Sequence, residues 1–183
     1  KTYGAVAQIS VFVDEKQNIK HIGSLATFFV GPYESSDGLI LESFSKSCQK
    51  VGLDVRFKKN IKEKIWQKFI FLSAYSGMTT LTEKTIGEIF NDKNLKEKFI
   101  KAMIEAYSLS SFYNVKFEEN PIDFWIEKIE KMPYEMTSSM FMDFKKKKKL
   151  ELDWLSGFIL YQSKLKNLDS KIHSEIVSGI KAK

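Results

Sequence analysis

Two charged side chains, Lys68 and Glu151, occupy stretches whose other residues predict buried helix faces. Lys68 lies in the middle of an apolar stripe at helical spacing in segment 61–76, and Glu151 heads a second such stripe in segment 151–165. The first stripe comprises Ile61, Ile65, Phe69 and Leu72, and the second comprises Trp154, Leu155 and Phe158. Because an unpaired charge on an apolar face is costly, we expect the two side chains to face each other across a cleft.

A lysine in such a cleft could act as an acid. Partial desolvation lowers the pKa of an ammonium group, which makes it a usable proton donor near neutrality. A nearby carboxylate would keep the lysine charged and oriented, and the ammonium could protonate or polarise a substrate carbonyl oxygen during hydride attack on the carbon. The alternative is that the stem of Lys68 packs in the core and its ammonium reaches water.

Ser138 and Ser139 lie in the segment TSSMFMD, and Ser139 is twelve residues before Glu151. Hydroxyl and N–H groups at a helix start suit a carboxylate, although such serines also serve as simple helix caps. Other chemistries have less support. The chain has no glycine motif for phosphate, its two histidines are far apart and no Cys/His cluster predicts a metal site. A Ser/His/Asp triad stays open but has no nucleophile elbow.

The elements that must position these residues change type along the chain. Two strands over 3–13 and 19–30 predict a hairpin, followed by a helix from Ser36 or Asp37 to about 51 and a strand over 53–57. The remainder predicts helices at about 60–76, 85–90, 93–113, 121–131, 137–144, 150–166 and 169–181. Predicted caps are the Thr85–Glu88 capping box, Asp92, Asp169 and Asn114.

The composition describes a globular protein of 183 residues with a net charge of +6. Much of that charge is the run Lys145–Lys149, which is typical either of a nucleic-acid patch or of a solvated loop. One arginine and the lack of aromatic residues within the run favour the loop. Cys48 alone excludes an intrachain disulfide and indicates a reducing cytosol, and no apolar run is long enough to span a membrane.

The front end predicts an incomplete sheet, because a hairpin, a helix and one strand make a poor domain alone. We therefore expect a C-terminal portion of a longer protein. An uncovered sheet edge and face would favour self-association as a homodimer.

Three stretches together resemble the ketopantoate reductase (2-dehydropantoate 2-reductase) family. They are GAVAQISVFV with IKHIGSL, KIWQKFIFLSAYSGMTTLT, and TSSMFMDFKKKKKLELDWLSG. The last is the most specific, since family members carry T/S-S-M-x-x-D followed by E-x-D-x-x-x-G. The resemblance implies a mainly α chain: a β-hairpin–helix–strand remnant of a Rossmann-type nucleotide-binding domain over 1–58, then an all-helical substrate and dimerisation domain over 59–183.

The resemblance also implies roles for four residues. Lys68 matches the catalytic lysine that protonates the 2-keto oxygen, and Glu151 matches the glutamate beside this lysine and the nicotinamide ribose. Ser139 matches a contact to the substrate carboxylate. Ser76 and Leu72 stand where the family carries substrate-binding asparagines, so Ser76 is a candidate substrate contact and the 2-keto acid is left open. Ser156 likewise stands where an asparagine often precedes Gly157.

Two functional interpretations follow. In the first, the intact parent is a cytoplasmic NADP-dependent oxidoreductase that reduces a 2-keto acid. The present chain, without the glycine-rich unit, would then be inactive and bind NADP(H) weakly. In the second, the chain is a non-catalytic helical module for dimerisation or ligand binding with vestigial site residues. Neither interpretation requires a metal or a membrane. A third interpretation, a basic nucleic-acid-binding protein, has the least support.

Overall fold

A computed structural model describes residues 2–33 and 38–183, apart from the side chains at 12 and 22–25. The predicted helix cap at Ser36 or Asp37 lies outside the described residues. The chain divides into a sheet unit, residues 1–65, and a helical unit, residues 66–183. No helix among the described residues is both long enough and apolar enough to cross a membrane.

Among the described residues of the sheet unit there are three strands and one crossover helix. Strands β1 (Gly4–Val13) and β2 (Ile19–Gly31) form the predicted antiparallel hairpin. Its turn is held by Asp14, whose carboxylate accepts hydrogen bonds from the backbone N–H groups of Lys16 and Asn18. Helix α1 (Leu39–Lys50) then leads to β3 (Val55–Phe57), which pairs parallel to β2. A parallel neighbour needs such a crossover, which is how this unit places its helix.

Few apolar side chains of the sheet unit are buried. Its core consists of Val6, Phe29 and Ile61, with Ile65 packed against them. Large apolar residues at the hairpin end, on α1 and directly after it are instead exposed, namely Val11, Val13, Ile19, Leu39, Ile40, Phe44 and Val51. On α1 it is the hydroxyl of Ser45 that is buried, and it donates a 2.7 Å hydrogen bond to the Val55 carbonyl. The apolar face of this unit therefore exceeds what its own residues cover.

The helical unit is built around one long central helix. Helix α2 (Ile61–Thr82) begins in the sheet unit and continues through the helical unit. Around it lie α3 (Ile86–Asn91), α4 (Lys93–Ser110), α5 (Pro121–Ile129), α6 (Ser139–Lys145), α7 (Ser156–Leu165) and α8 (Lys171–Lys181), with a short 3-10 turn at Ser111–Tyr113. One continuous core joins these helices. This mainly α architecture after a small sheet is the predicted fold.

Local signals set most helix ends. Thr85 and Glu88 form the predicted capping box, and the Asp92 carboxylate caps α4 through Asn94 N–H and Leu95 N–H. Asn114 has the left-handed backbone of a C-cap. The prediction for Asp169 was wrong by one residue. Ser170 is the N-cap of α8, and the Asp169 carboxylate accepts a 3.2 Å hydrogen bond from Lys171 N–H beside it.

Two glycines let α8 approach α2 closely. A Cβ on Gly77 would lie 2.9 Å from two carbons of Ile176 and 3.1 Å from the Ser156 hydroxyl oxygen. A Cβ on Gly179 would clash with a methyl group of Leu81. At Gly77 a side chain would meet both Ile176 and Ser156, so this glycine fixes the spacing around the second half of α2, whereas at Gly179 only the end of the Leu81 side chain would have to move.

Candidate active site

Lys68 lies on α2 and shares a helix face with the residues four and eight positions later. Lys68 and Leu72 are partly buried, whereas Ser76 is buried with 3% of its surface exposed. Spacings of four place the three side chains in a row along one face. The row starts with a cation, continues with an apolar side chain and ends with a hydroxyl. This arrangement suits a small ligand with one polar group to be protonated.

Burial lowers the pKa of Lys68 below the ordinary value of 10.5. The cause is desolvation, which disfavours the charged ammonium. A lysine ammonium with a lowered pKa is a stronger acid than one in water. The structure thus provides the property that a proton donor needs.

The start of α6 is attached to the same helix. The hydroxyl of Ser138, the N-cap of α6, lies 2.7 Å from the Thr79 hydroxyl on α2 and accepts a 3.1 Å hydrogen bond from Phe141 N–H. Ser139, the first residue of α6, is exposed. Since Thr79 is three residues after Ser76, this anchor places Ser139 near the later turns of α2. Ser138 is the cap, which leaves the Ser139 hydroxyl outside the capping bond.

The segment that carries Glu151 is attached to α2 by the start of α7. The hydroxyl of Ser156 donates a weak 3.5 Å hydrogen bond to the Ser73 carbonyl, and the rings of Phe69 and Phe158 meet edge to face with centroids 5.8 Å apart. Both contacts are made from the α2 stretch directly after Lys68. Glu151 itself is exposed.

The structure corrects the sequence prediction for this segment. Helix α7 begins at Ser156 and not near residue 150, because residues 152–155 form a turn in which Trp154 N–H and Leu155 N–H donate to the Glu151 carbonyl. Trp154 is 75% exposed and does not belong to an apolar stripe. The prediction that Glu151 heads a buried helix face was therefore wrong, although Leu155 and Phe158 do pack against the core.

The position of Ser156 also argues against a substrate contact there. Its side chain is fully buried between Ser73 and Gly77. A hydroxyl in this place contributes to helix packing. Of the predicted positions, Lys68, Leu72 and Ser76 share one helix. Ser139 is attached to that helix through its neighbour Ser138, and the segment that carries Glu151 is attached to it only further along, at Ser156 and Phe158. In this structure Glu151 makes no hydrogen bond or ion pair with Lys68. That the two side chains face one cleft stays a prediction.

Glu151 has the open carboxylate that a ribose would require. Within the part of the chain that the structure describes, its side chain makes no hydrogen bond or ion pair, and it stands at the surface. Ribose hydroxyls are hydrogen-bond donors and a carboxylate only accepts, so the two are complementary. In contrast, the described residues hold no group of three or more His, Cys, Asp or Glu side chains that could bind a metal ion.

One buried polar cluster escaped the sequence analysis. The Glu105 carboxylate on α4 accepts 2.8 and 2.9 Å hydrogen bonds from the N–H groups of Ile172 and His173 at the start of α8. The ring of His173 is fully buried and contacts the Ala102 carbonyl through Nε2 at 3.0 Å. Partners some 70 residues apart leave no local pattern, and only the placement of Glu105 among the apolar residues of α4 could have indicated a buried charge.

Comparison with known proteins connects this geometry to one family. A family model described as "Ketopantoate reductase PanE/ApbA C terminal" matches residues 60–183. A 2-dehydropantoate 2-reductase of Pyrococcus horikoshii is 25% identical over 154 residues, which are 84% of this chain and 51% of that protein. The chain spans about half the length of this curated relative.

Solved structures share the fold. A dimeric ketopantoate reductase of Staphylococcus aureus has a TM-score of 0.81 at 21% identity, covering 97% of this chain and 59% of that one. A D-mandelate dehydrogenase solved with NADH has a TM-score of 0.81 at 14% identity, with coverages of 98% and 60%. At these identities the likeness concerns the fold, and the predicted mainly helical architecture is confirmed.

Proposed function

Because this chain belongs to the ketopantoate reductase family through its C-terminal domain, we propose that it is the C-terminal part of a longer NADP-dependent 2-keto acid reductase. The parent would reduce a 2-keto acid such as 2-dehydropantoate to the 2-hydroxy acid. Relatives of which this chain covers about half are oxidoreductases, and a fold neighbour was solved with NADH. The division into a nucleotide-binding remnant (1–58) and a helical domain (59–183) belongs to the same proposal.

The observation that carries this proposal is the placement of Lys68. It is a partly buried lysine whose pKa is lowered by desolvation, on the helix to which the Ser139 and Glu151 segments are both anchored. An acid, a carboxylate and an exposed serine at a helix start are the groups that reduction of a 2-keto acid needs.

In the proposed mechanism each residue acts on a stated atom. A bound nicotinamide cofactor would supply the hydride. The Lys68 ammonium donates its proton to the keto oxygen, where negative charge develops as the carbonyl carbon is attacked. Ser139 holds the substrate carboxylate through its hydroxyl and N–H. Glu151 holds the nicotinamide ribose and favours the charged form of Lys68, and Ser76 contacts the substrate two turns along the same helix face.

The test uses the full-length protein encoded by the complete gene. Purified protein should oxidise NADPH in the presence of one or more members of a 2-keto acid panel that includes 2-dehydropantoate, and the Lys68→Ala variant should not. NADH in a parallel series tests the cofactor preference. If the folded parent turned over no 2-keto acid with either cofactor, the reductase proposal would fail and the non-catalytic module would be favoured.

We also propose that the parent is a homodimer. The support is the dimeric Staphylococcus aureus relative and the excess of exposed apolar side chains in the sheet unit. Sedimentation equilibrium of the full-length protein would show twice the monomer mass, whereas a monomer at high protein concentration would contradict this assignment.

A further inference from the structure

The lysine run, residues 145–149, has no place in the proposed mechanism. We propose that it is an electrostatic steering element that concentrates the anionic substrate and cofactor at the Ser139 and Glu151 segments. This inference rests on the proposed function for the identity of the anions.

The lysine run accounts for nearly all of the net charge of the chain. Without it the remaining 24 basic and 23 acidic side chains would almost balance. All five lysines are exposed. A local surplus of this size on a nearly neutral background produces a positive potential at one place on the surface.

The charge of the lysine run is little neutralised by neighbours. Lys148 lies 3.9 Å from the Asp143 carboxylate, a distance at the limit of an ion pair. Lys145 covers the Phe141 ring at 4.8 Å and lowers the pKa of Glu83 slightly, after the larger effect of Lys183. Lys146, Lys147 and Lys149 have no acidic partner among the described residues. Three of the five charges in the run are thus not neutralised by an acidic side chain.

The position of the lysine run is what gives its charge a function. It begins at the end of α6, whose first residue is Ser139, and it ends two residues before Glu151. Six residues of helix span roughly 9 Å and two extended residues about 7 Å. Both lengths are within about 10 Å, the Debye length at 0.1 M salt, so the field of the run reaches both segments.

The proposed ligands carry the complementary charge. A 2-keto acid has a carboxylate and a phosphorylated dinucleotide has several negative charges. Steering by surface charge raises association rates by roughly 10- to 1,000-fold in strong cases and weakens as salt is added. Nucleic acid is disfavoured as the ligand because the run contains no arginine and no aromatic side chain.

The kinetic test compares two triple variants of the full-length protein with equal net charge. The test variant is Lys146→Gln/Lys147→Gln/Lys149→Gln. The matched control replaces three exposed lysines elsewhere in the helical unit by glutamine, namely Lys93, Lys101 and Lys164. We expect the test variant to lose about threefold or more in kcat/KM at low ionic strength and to show a flatter salt dependence, while the control keeps the wild-type slope.

Measuring kcat/KM separately for the keto acid and for the cofactor, each with the other saturating, shows which anion is steered. Equal salt slopes for the test and control variants with both ligands would overturn the inference. Tight, salt-sensitive binding of an RNA oligonucleotide that only the test variant lost, without a change in kcat/KM, would replace it by the nucleic-acid assignment.

A second measurement on the present chain does not depend on enzymatic activity. Anionic and cationic nitroxide probes of equal size are added in turn, and paramagnetic relaxation of the backbone N–H protons is recorded by NMR. The anionic probe should be enriched at Ser139 and Glu151, and the Lys146/Lys147/Lys149 variant should lose that enrichment. Equal effects of both probes would sink the steering inference even if the parent proved to be a reductase. Clear enrichment in a parent without reductase activity would retain an anion-attracting site and reject only the proposed reaction.

Discussion

Desolvation of Lys68 predicts how turnover depends on pH. Its pKa lies below 10.5, and in the proposed mechanism the ammonium is the proton donor, so kcat/KM of the full-length protein should fall as pH rises through this lowered value. Lys68→Ala should lower kcat by roughly 10²- to 10⁴-fold and remove the alkaline limb. Lys68→Arg serves as the control because it keeps the charge but releases no proton in this range. An unchanged alkaline limb in either variant would reject Lys68 as the donor.

Ser139 and Glu151 should differ in the kinetic constant they affect. The substrate carboxylate is charged in both the ground and the transition state, so Ser139→Ala should mainly raise KM for the keto acid. Glu151→Gln should lower kcat and weaken cofactor binding, since the proposed mechanism gives this side chain a role toward both the ribose and Lys68. Ser138→Ala is the informative comparison. It removes the α6 cap and should reduce stability by about 1 kcal/mol in urea unfolding. If Ser139→Ala reduced kcat alone, its assignment to the carboxylate would be wrong.

At this scale the sequence was informative where chemistry and periodicity coincide. A lysine within an apolar helical stripe is visible without a structure, and Lys68 is indeed partly buried on α2. Glu151 was predicted to head a buried helix face, but its side chain is exposed. Periodicity assigns a residue to a face, and only packing decides whether that face is covered.

Among the elements, the contact of α2 with α8 makes the sharpest prediction. Gly77→Ala would gain about 1 kcal/mol of helix propensity, but its Cβ would meet Ile176 at 2.9 Å, and overpacking costs roughly 1–3 kcal/mol. We expect a net loss of about 1 kcal/mol in urea unfolding, partly restored by adding Ile176→Val. The exposed Ser174→Ala change on α8 is the control and should stay within about 0.5 kcal/mol of wild type. Stabilisation by Gly77→Ala alone would contradict the close packing.

The elements also show where local signals are sufficient. Helices α3 and α4 begin at the predicted caps Thr85 and Asp92, because a side chain two or three residues from the N–H it binds needs no tertiary help. The start of α7 was predicted too early because no local cap marks it. Leu152 is buried while Trp154 points to solvent, and this turn depends on the core beneath it. The parallel pairing of β3 with β2 likewise has no local signature.

For the helical unit as a whole, His173 predicts an acid-sensitive stability. Burial lowers the pKa of His173 from 6.5 to about 4, so the unfolded chain binds a proton that the folded chain does not. The stability that depends on a neutral His173 is fully present above pH 6.5 and is lost as pH falls towards 4. The loss in the free energy of unfolding is on the order of 3 kcal/mol. Burial raises the pKa of Glu105, so this carboxylate is protonated at a higher pH in the folded than in the unfolded chain. Its proton uptake offsets part of the loss of stability.

The measurement is urea unfolding of the present chain at several values between pH 4 and 7. His173→Gln should be less stable at neutral pH but should lose the steep decline between pH 6.5 and 4. His21→Gln, at an exposed position in the sheet unit, should keep that decline. A decline of equal slope in the His173 variant would show that other groups cause the acid sensitivity.

The present chain, whose sequence contains no glycine-rich unit, should also bind NADPH weakly. A pyrophosphate needs backbone N–H groups at a glycine turn that opens a helix, and this sequence has no such motif. Calorimetric titration should therefore show no low-micromolar affinity for the present chain, in contrast to the full-length protein. Tight binding by the present chain would mean that the helical unit holds far more of the cofactor than proposed.

The outward turn of Trp154 has an optical consequence. The chain contains three tryptophans, of which Trp66 and Trp125 are 7% and 4% exposed while Trp154 is 75% exposed and three residues from Glu151. Buried and exposed indoles differ in emission wavelength and in access to a dissolved quencher. The fluorescence of Trp154 can therefore be separated from that of the other two. The molecule carries its own reporter beside the proposed ribose position, and a ligand covering the turn at 152–155 would shift and protect that red-edge emission without any added label.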